Sequence, residues 1–191
     1  KIKAGFLMIL ALDISTSCTG YCVFDENELV DIGSINLSKH KGMFEKASHV
    51  KSEIIALDDM YQIDIVVVEE NLQAFRPGLS SAKTLMTLAQ FNGVVRWICH
   101  ERLEVPVEAI NVNTARKNVG LKIDKKDKSK TTKEKVLDWV SEDDHTIIWP
   151  TKILKSGPSK GQKRICNEAY DMADAYVIGK SFLLNKTTFQ A

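Results

Sequence analysis

The stretch Met8-Ile-Leu-Ala-Leu-Asp13 decides the fold, because it is an unbroken apolar run that ends in a carboxylate. A run of this kind predicts a strand buried on both faces, at the centre of an α/β sheet. The segment Ile63-Asp-Ile-Val-Val-Val68 predicts a second buried strand, and it leads into Glu69 and Glu70. Ligand sites of open α/β sheets lie at the carboxyl ends of strands, so the acids that end these strands are candidate site residues.

The pattern around these two strands predicts a single α/β domain over residues 1–191. Strands alternate with helices after an initial run of three strands, which is typical of a mixed five-stranded sheet with helices on both faces. Thr19-Gly20 is expected to form a turn. The other strands are expected at 21–24, 29–37 and 105–110, and the helices at 42–60, 80–101, 113–119, around 136–140 and at 166–184.

Two segments stand apart from the folded core of this domain. Residues 1–7 precede the first strand, and we expect them to be removed by processing or to remain from expression. Residues 152–164 combine Gly, Pro and Ser with several lysines, which predicts a mobile basic loop on the surface.

The composition is that of an ordinary globular protein. Of the 191 residues, 44% are hydrophobic and 27% are charged. No apolar run is long enough to span a bilayer and no secretory signal precedes the first strand, so no membrane partner is expected. The four cysteines lack a metal-binding spacing and are expected to be reduced, which favours a cytoplasmic location.

The net charge of +1 is the sum of a basic segment and an acidic remainder of the chain. Residues 111–164 contain fourteen Lys/Arg and seven Asp/Glu, a net of +7, whereas the remainder has a net of −6. A basic segment on an otherwise acidic chain suits a polyanionic partner, although a solvated lysine-rich surface would give the same pattern.

Two more acids occur near the carboxyl end of the chain, in a predicted helix. Asp171 and Asp174 are three residues apart, so both side chains project from one face. If that helix packs on the sheet, these side chains can reach Asp13 and Glu69. Grouped carboxylates repel one another unless a cation lies between them, and Mg²⁺ is a hard ion that takes oxygen ligands. Two such ions can activate a water and stabilise the leaving oxygen of a phosphodiester.

Four motifs resemble those of the RuvC Holliday junction resolvases, which have a ribonuclease H-like fold. The first-strand signature is matched by Ile9-Leu-Ala-Leu-Asp13-Ile-Ser-Thr-Ser-Cys-Thr-Gly20-Tyr21. The other three follow in the family's order, as Asp64-Ile-Val-Val-Val-Glu69, Leu88-Ala-Gln-Phe-Asn-Gly93-Val-Val and Ala169-Tyr-Asp171-Met-Ala-Asp174-Ala-Tyr. The resemblance therefore runs from about residue 8 to residue 184.

The resemblance implies a homodimer that binds a four-way DNA junction and makes paired nicks with Mg²⁺, for which Mn²⁺ can substitute. It implies catalytic and metal-binding roles for Asp13, Glu69, Asp171 and Asp174, with two ions in each active site and no nucleotide cofactor. Glu69 is favoured over Glu70, because strand alternation lets only one of them face the metals. DNA contacts are expected from Lys130 and Lys133, with Arg116, Lys117 and Lys128 behind them, and from Phe75 and Arg76.

The sequence departs from the cellular enzymes at several places. Ser15 stands where a Gly usually occurs two residues after the first Asp. Leu72 stands where an aromatic residue usually stacks on bases, and Phe75 could either replace that contact or lie in the core. The segments around 122–130 and 152–164 are longer than the cellular pattern. These departures are similar to those of phage-encoded members, whose location is the host cytoplasm.

Other functions remain compatible with parts of the pattern. A metal-dependent nuclease of this type can act on flaps, replication forks or RNA hybrids instead of four-way junctions. Asp13-Ile-Ser-Thr16 loosely resembles the phosphate loop of sugar kinases and actin-like ATPases, although that function needs a second domain and leaves Asp171 and Asp174 unexplained. A relative that binds nucleic acid without cutting it is a further alternative.

Overall fold

The computed structural model describes residues 7–26, 28–70, 82–124 and 126–189, except for the side chains of 186–189. The main sheet contains β1 (Met8–Asp13), β2 (Cys18–Asp25), β3 (Glu28–Asn36), β4 (Ile65–Glu69) and β5 (Val107–Ile110). The strand order is β3-β2-β1-β4-β5. β1 pairs antiparallel with β2 and parallel with β4, so the five-stranded sheet is mixed, which confirms the predicted fold class.

Helices cover both faces of this sheet. They are α1 (Gly42–Tyr61), α2 (Ala82–Leu103), α3 (Val112–Asn118), α4 (Thr132–Asp143) and α5 (Glu168–Phe189). On one face, Ile9, Ala11 and Val67 pack in a hydrophobic cluster with residues of α3, α4 and α5. On the other face, Leu10, Leu12 and Val66 pack with residues of α1 and α2. The central strands are thus buried on both sides, as their continuous apolar runs predict.

The prediction of a turn at Thr19-Gly20 is wrong, because both residues lie inside β2. Gly20 pairs with Asp13 across the sheet, and its backbone is extended by the ladder rather than reversed. A glycine within a strand commonly marks the close approach of another backbone, and here that backbone belongs to α5.

The prediction of an irregular loop over 152–164 is corrected by two short strands. These are β6 (Thr151–Ile153) and β7 (Lys163–Ile165), which pair antiparallel and form a separate hairpin. The sequence between them keeps Gly, Pro and Ser, so only the tip of the hairpin is a turn. The predicted mobility of this segment stays a prediction.

Two further findings bear on the predicted class of protein. None of the helices in the described ranges is both long and apolar enough to cross a membrane. All four cysteines are free thiols, and Cys18, Cys22 and Cys99 are buried. Residues 1–6 lie outside the described residues, so the expectation that they are processed stays open.

Candidate active site

Asp13 and Glu69 lie side by side at the carboxyl ends of two parallel strands. The register pairs Leu12 with Val68, which places Asp13 level with Glu69 one residue further on. Side chains alternate along a strand, so both acids project from the face that also carries Ala11 and Val67, the α5 face. Glu70 follows the end of β4 and also lines the cleft, so the preference for Glu69 over Glu70 stays a prediction.

Asp171 and Asp174 reach the same place from above, on the first turns of α5. The helix sits close to the sheet because β2 has no side chain at Gly20, where a Cβ would lie only 2.0 Å from the carbonyl oxygen of Asp171. Since Gly20 pairs with Asp13, this contact sets the helix acids directly over the strand acids. The convergence predicted from the i, i+3 spacing is therefore present in the fold.

The four acids line one cleft of about 860 Å³. Its floor is formed by the ends of β1 and β4, and its walls by α5, α3 and the start of α4. Three cations also line it, namely Arg116 of α3, Lys133 of α4 and Arg164 of β7. The cleft therefore combines a carboxylate floor with cationic walls, which suits a ligand that carries both a metal and an anion.

Burial dominates the acid–base behaviour of the strand acids. It raises the pKa of Asp13 well above its ordinary value, and the neighbouring Asp174, Glu69 and Asp171 raise it further. Burial also raises the pKa of Glu69, as does Asp174, although the hydrogen bond with Asp13 opposes this. A hydrogen bond between two carboxyl groups requires a proton on one of them. Without a cation, this pair therefore tends to retain a proton at a pH where an exposed acid would be ionised.

The helix acids have cationic partners instead. Arg116 donates from Nη2 to Oδ1 of Asp174 at 3.2 Å, and Lys133 donates from Nζ to Oδ1 of Asp171 at 3.0 Å. Burial raises the pKa of Asp174, and the guanidinium of Arg116 only partly offsets this. Burial lowers the pKa of Lys133, but the nearby carboxylates outweigh that effect and the net shift is upward.

The donor chemistry of the cleft fits a hard divalent cation. Every acid offers carboxylate oxygens, and the burial and crowding that raise the pKa of Asp13 and of Glu69 are the kind of conflict that a cation resolves. Among the described residues, no three His, Cys, Asp or Glu side chains are placed to hold one ion together. Mg²⁺ does not require such a cage, because it is commonly bound by one or two carboxylates, several waters and substrate phosphates.

Only some of the residues predicted to contact DNA line the cleft. Arg116 and Lys133 line the cleft. Lys130 lies outside the cleft lining and pairs with Asp138 at 2.6 Å. Lys117 and Lys128 are exposed and likewise not part of the lining, whereas Phe75 and Arg76 fall outside the described residues.

The sequence reasoning did not identify the contacts of two residues near the cleft. Asn92 of α2 lines the cleft while buried, and its amide donates to the carbonyl oxygen of Glu69 at 3.4 Å. Ser15 braces the turn between β1 and β2, since its hydroxyl donates to the Cys18 carbonyl at 2.7 Å and accepts from the Cys18 amide. Asn92 sits within the motif Leu88–Gly93, but an Asn on an apolar helix gives no signal of its direction.

The sheet order, the two helix layers and the acids at the strand ends define a RuvC-type, ribonuclease H-like fold. Solved structures of two resolvases superpose on nearly the whole chain. Thermus thermophilus RuvC in complex with a Holliday junction substrate matches with a TM-score of 0.64 at 15% identity, covering 95% of this chain and 96% of that chain. A second Thermus thermophilus RuvC structure matches with a TM-score of 0.61 at 15% identity, over 96% and 97%.

The yeast mitochondrial Holliday junction resolvase matches with a TM-score of 0.61 at 13% identity, covering 97% of this chain and 81% of that chain. No protein-family model matches the sequence, and no curated protein is similar to it in sequence. At these identities the likeness establishes the fold, and the activity has to be argued from the cleft.

Proposed function

We propose that this protein is a metal-dependent endodeoxyribonuclease that resolves four-way DNA junctions by paired nicking. The observation that carries the proposal is the convergence of Asp13, Glu69, Asp171 and Asp174 in one cleft whose walls bear cations. Acids from two strands and a distant helix would be costly to bury together without a cationic ligand. The fold likeness to proteins described as Holliday junction resolvases supports branched DNA as the substrate.

The cofactor in this proposal is Mg²⁺, with Mn²⁺ as a substitute and two ions in each site. Asp13 and Glu69 would hold the first ion between them, and Asp174 and Asp171 would contribute to the second. When bound, such ions activate a water and stabilise the leaving oxygen of a phosphodiester. The raised pKa values of Asp13 and Glu69 support this assignment, because a cation favours the ionised forms that burial disfavours.

The protein's own cations would act on the phosphate. Arg116 and Lys133 lie in the cleft beside the acids, where each would exchange its carboxylate partner for a phosphate oxygen. Arg is suited to this role because its planar guanidinium can donate two parallel hydrogen bonds. The buried Nε of Arg116 has no hydrogen-bond partner among the described residues, so the guanidinium has donor capacity left for an anion.

The positions of the strand acids depend on Asn92 in this proposal. Its amide hydrogen bond to the Glu69 carbonyl fixes the end of β4, where the Glu69 side chain begins. Its Oδ1 is buried and has no hydrogen-bond partner among the described residues. Asn92 would therefore hold the backbone of Glu69 in place.

The decisive experiment compares cleavage of a four-way junction, a flap, a fork and a linear duplex, each with EDTA, Mg²⁺ or Mn²⁺. We expect the junction to be cut fastest and only with a divalent ion, and symmetrically placed nicks would indicate pairing by a homodimer. Preferential cutting of the flap or fork would show that the protein is a nuclease with that DNA, rather than the four-way junction, as its substrate. No cleavage of any branched DNA with either ion would overturn the proposal, and ATP hydrolysis under those conditions would favour the kinase-like alternative.

Substitutions test the site itself. Asp13→Asn and Asp174→Asn should each lower the cutting rate by at least about a thousandfold, because each removes a carboxylate that would hold a metal ion at the reacting phosphate. Both variants should still bind the junction, which a gel-shift assay in EDTA measures. Asp59→Asn, on the exposed end of α1, is the matched control and should cut like the parent protein.

A further inference from the structure

The hairpin of β6 and β7 carries a concentrated positive charge. Between Asp144 and Glu168 the chain has no acidic residue. The hairpin itself bears five exposed cations, namely Lys152, Lys155, Lys160, Lys163 and Arg164. None of them forms a salt bridge with another described residue, in contrast to Lys130, which is held by Asp138. These charges are therefore available to a partner from outside the fold.

The strand register sorts these cations onto two faces. Lys152 pairs directly with Arg164, and Ile153 pairs directly with Lys163. Directly paired residues of an antiparallel ladder project to the same side, and successive residues project to opposite sides. Lys152 and Arg164 consequently share one face, which we call the cleft face, because Arg164 lines the cleft. Lys163 and Ile153 occupy the other face.

The two cations of the cleft face repel each other, and a bound anion would reduce this repulsion. Like charges placed directly opposite each other in a β ladder destabilise the pairing. The hairpin nonetheless holds Lys152 against Arg164, and it is anchored at its base by Ile165 and Trp149, which pack against the core cluster. Across from Arg164 lies Glu134, whose pKa is lowered chiefly by hydrogen bonds from Thr131 and to a smaller extent by Arg164.

We propose that the cleft face of this hairpin binds the phosphate backbone of the DNA that enters the cleft. The proposal deepens the proposed nuclease function and rests on it. Arg164 lines the cleft together with Lys133 and Arg116, and Lys152 lies directly beside Arg164 on the same face of the hairpin. DNA is the partner that fits, because a duplex presents a regular series of phosphates and this face presents paired cations without an acid between them.

The test measures the affinity of a four-way junction in EDTA, as a function of salt, for Lys152→Gln combined with Arg164→Gln. Loss of two phosphate contacts should lower the slope of log affinity against log salt by about 2 and weaken binding roughly 10- to 30-fold near 0.15 M salt. Lys163→Gln, on the opposite face of the same hairpin, is the control and should change affinity less than about twofold. The charge-preserving exchange of Lys152→Arg with Arg164→Lys should retain affinity.

The outcomes separate this inference from the function on which it rests. If the parent protein binds no DNA of any form, the proposed function fails. If the parent binds and cuts the junction but the double variant matches it in affinity and salt slope, only the hairpin contact fails. An equal loss for Lys163→Gln would also overturn the proposal, since the effect would then follow net charge rather than the cleft face. Thermal unfolding checks that every variant is folded, and removing the Lys152–Arg164 repulsion should not lower the melting temperature.

Discussion

At the scale of single residues, the site is a set of buried and half-buried acids whose charges are compensated in two different ways. Asp174 and Asp171 are neutralised by Arg116 and Lys133, at 3.2 and 3.0 Å. Asp13 has no cation as a hydrogen-bond partner among the residues that the structure describes, and instead shares a hydrogen bond with Glu69. The two halves of the site should therefore respond differently to pH and to divalent ions.

The Asp13 carboxyl makes the metal-free protein sensitive to pH. The pKa of Asp13 is raised in the folded state, so folding favours the protonated carboxyl. This contribution to stability is complete below the pKa of Asp13 in the unfolded chain, about 4, and is lost as the pH rises through its pKa in the folded protein. In EDTA, Asp13→Asn should therefore melt higher than the parent protein at pH 8, by several degrees, and by less at pH 5. Thermal unfolding of both proteins at each pH measures this, and a difference that does not vary with pH would contradict it.

Arg116 couples folding to the binding of a divalent ion. Arg116→Gln leaves Asp174 buried without its cation, which should cost up to about 3 kcal/mol of the free energy of unfolding in EDTA. A divalent ion can supply the missing charge, so Mg²⁺ should raise the melting temperature of this variant more than that of the parent protein. Arg116→Lys is the control and should respond like the parent. An equal rise in all three proteins would show that Arg116 and the ion do not compete for Asp174.

Some of these residue roles could be predicted from sequence, and others could not. Asp13 and Glu69 were identifiable because burying a charge at the end of an apolar strand costs free energy unless a cation or hydrogen bonds compensate it. The pairing of Arg116 with Asp174 was not, because 57 residues separate them and only the packing of α3 against α5 brings them together. The same holds for Asn92, whose contact with Glu69 depends on the rotation of α2.

At the scale of secondary-structure elements, the position of α5 depends on Gly20. Gly20→Ala places a methyl group where a Cβ lies 2.0 Å from the Asp171 carbonyl oxygen, so the helix has to move outward. We expect a loss of about 1–3 kcal/mol in the free energy of unfolding from overpacking. Cutting should fall about 100-fold, because displacement of catalytic groups by about 1 Å has an effect of that size.

Gly93 provides the matched control for Gly20, since a Cβ there meets nothing within 4 Å. Gly93→Ala, in the interior of α2, should raise the free energy of unfolding by up to about 1 kcal/mol through helix propensity, and cutting should not change. Urea unfolding and a junction-cleavage assay measure both variants. The dependence on close packing would be refuted if Gly20→Ala behaved like Gly93→Ala.

The elements themselves were predicted well where their periodicity was strong. The apolar runs of β1 and β4 and the helical spacing of α1 left little choice, and their observed bounds differ from the predicted ones by no more than about two residues. The failures occurred where local chemistry suggested a turn. Thr19-Gly20 resembles a turn, but Gly20 lies within β2 and allows the close approach of α5. The Gly and Pro residues of 152–164 predict a loop, and the strands β6 and β7 are too short, at three residues each, to give a periodic pattern.

At the scale of the whole molecule, paired nicking requires two clefts, and each chain has one with all four acids. We therefore expect the protein in solution to have twice the mass of one chain, which light scattering coupled to size-exclusion chromatography measures. Mixing parent protein with Asp13→Asn should yield junctions nicked on one strand only, in proportion to the mixed dimers formed. A monomeric protein that cuts both strands with unlinked kinetics would contradict this arrangement.

The absence of a side chain at Gly20 also bears on how the chain tolerates random mutation. The helix that carries two of the acids also packs closely on the sheet at its own Gly179, where a Cβ would lie 2.5 Å from the ring of Phe24. In a genetic selection for loss of cutting, both glycines should be recovered as often as the carboxylates, although neither has a reactive group. The residues required for cutting therefore include some that have no reactive group. A substitution at one of these glycines can abolish the activity while all four acids are retained.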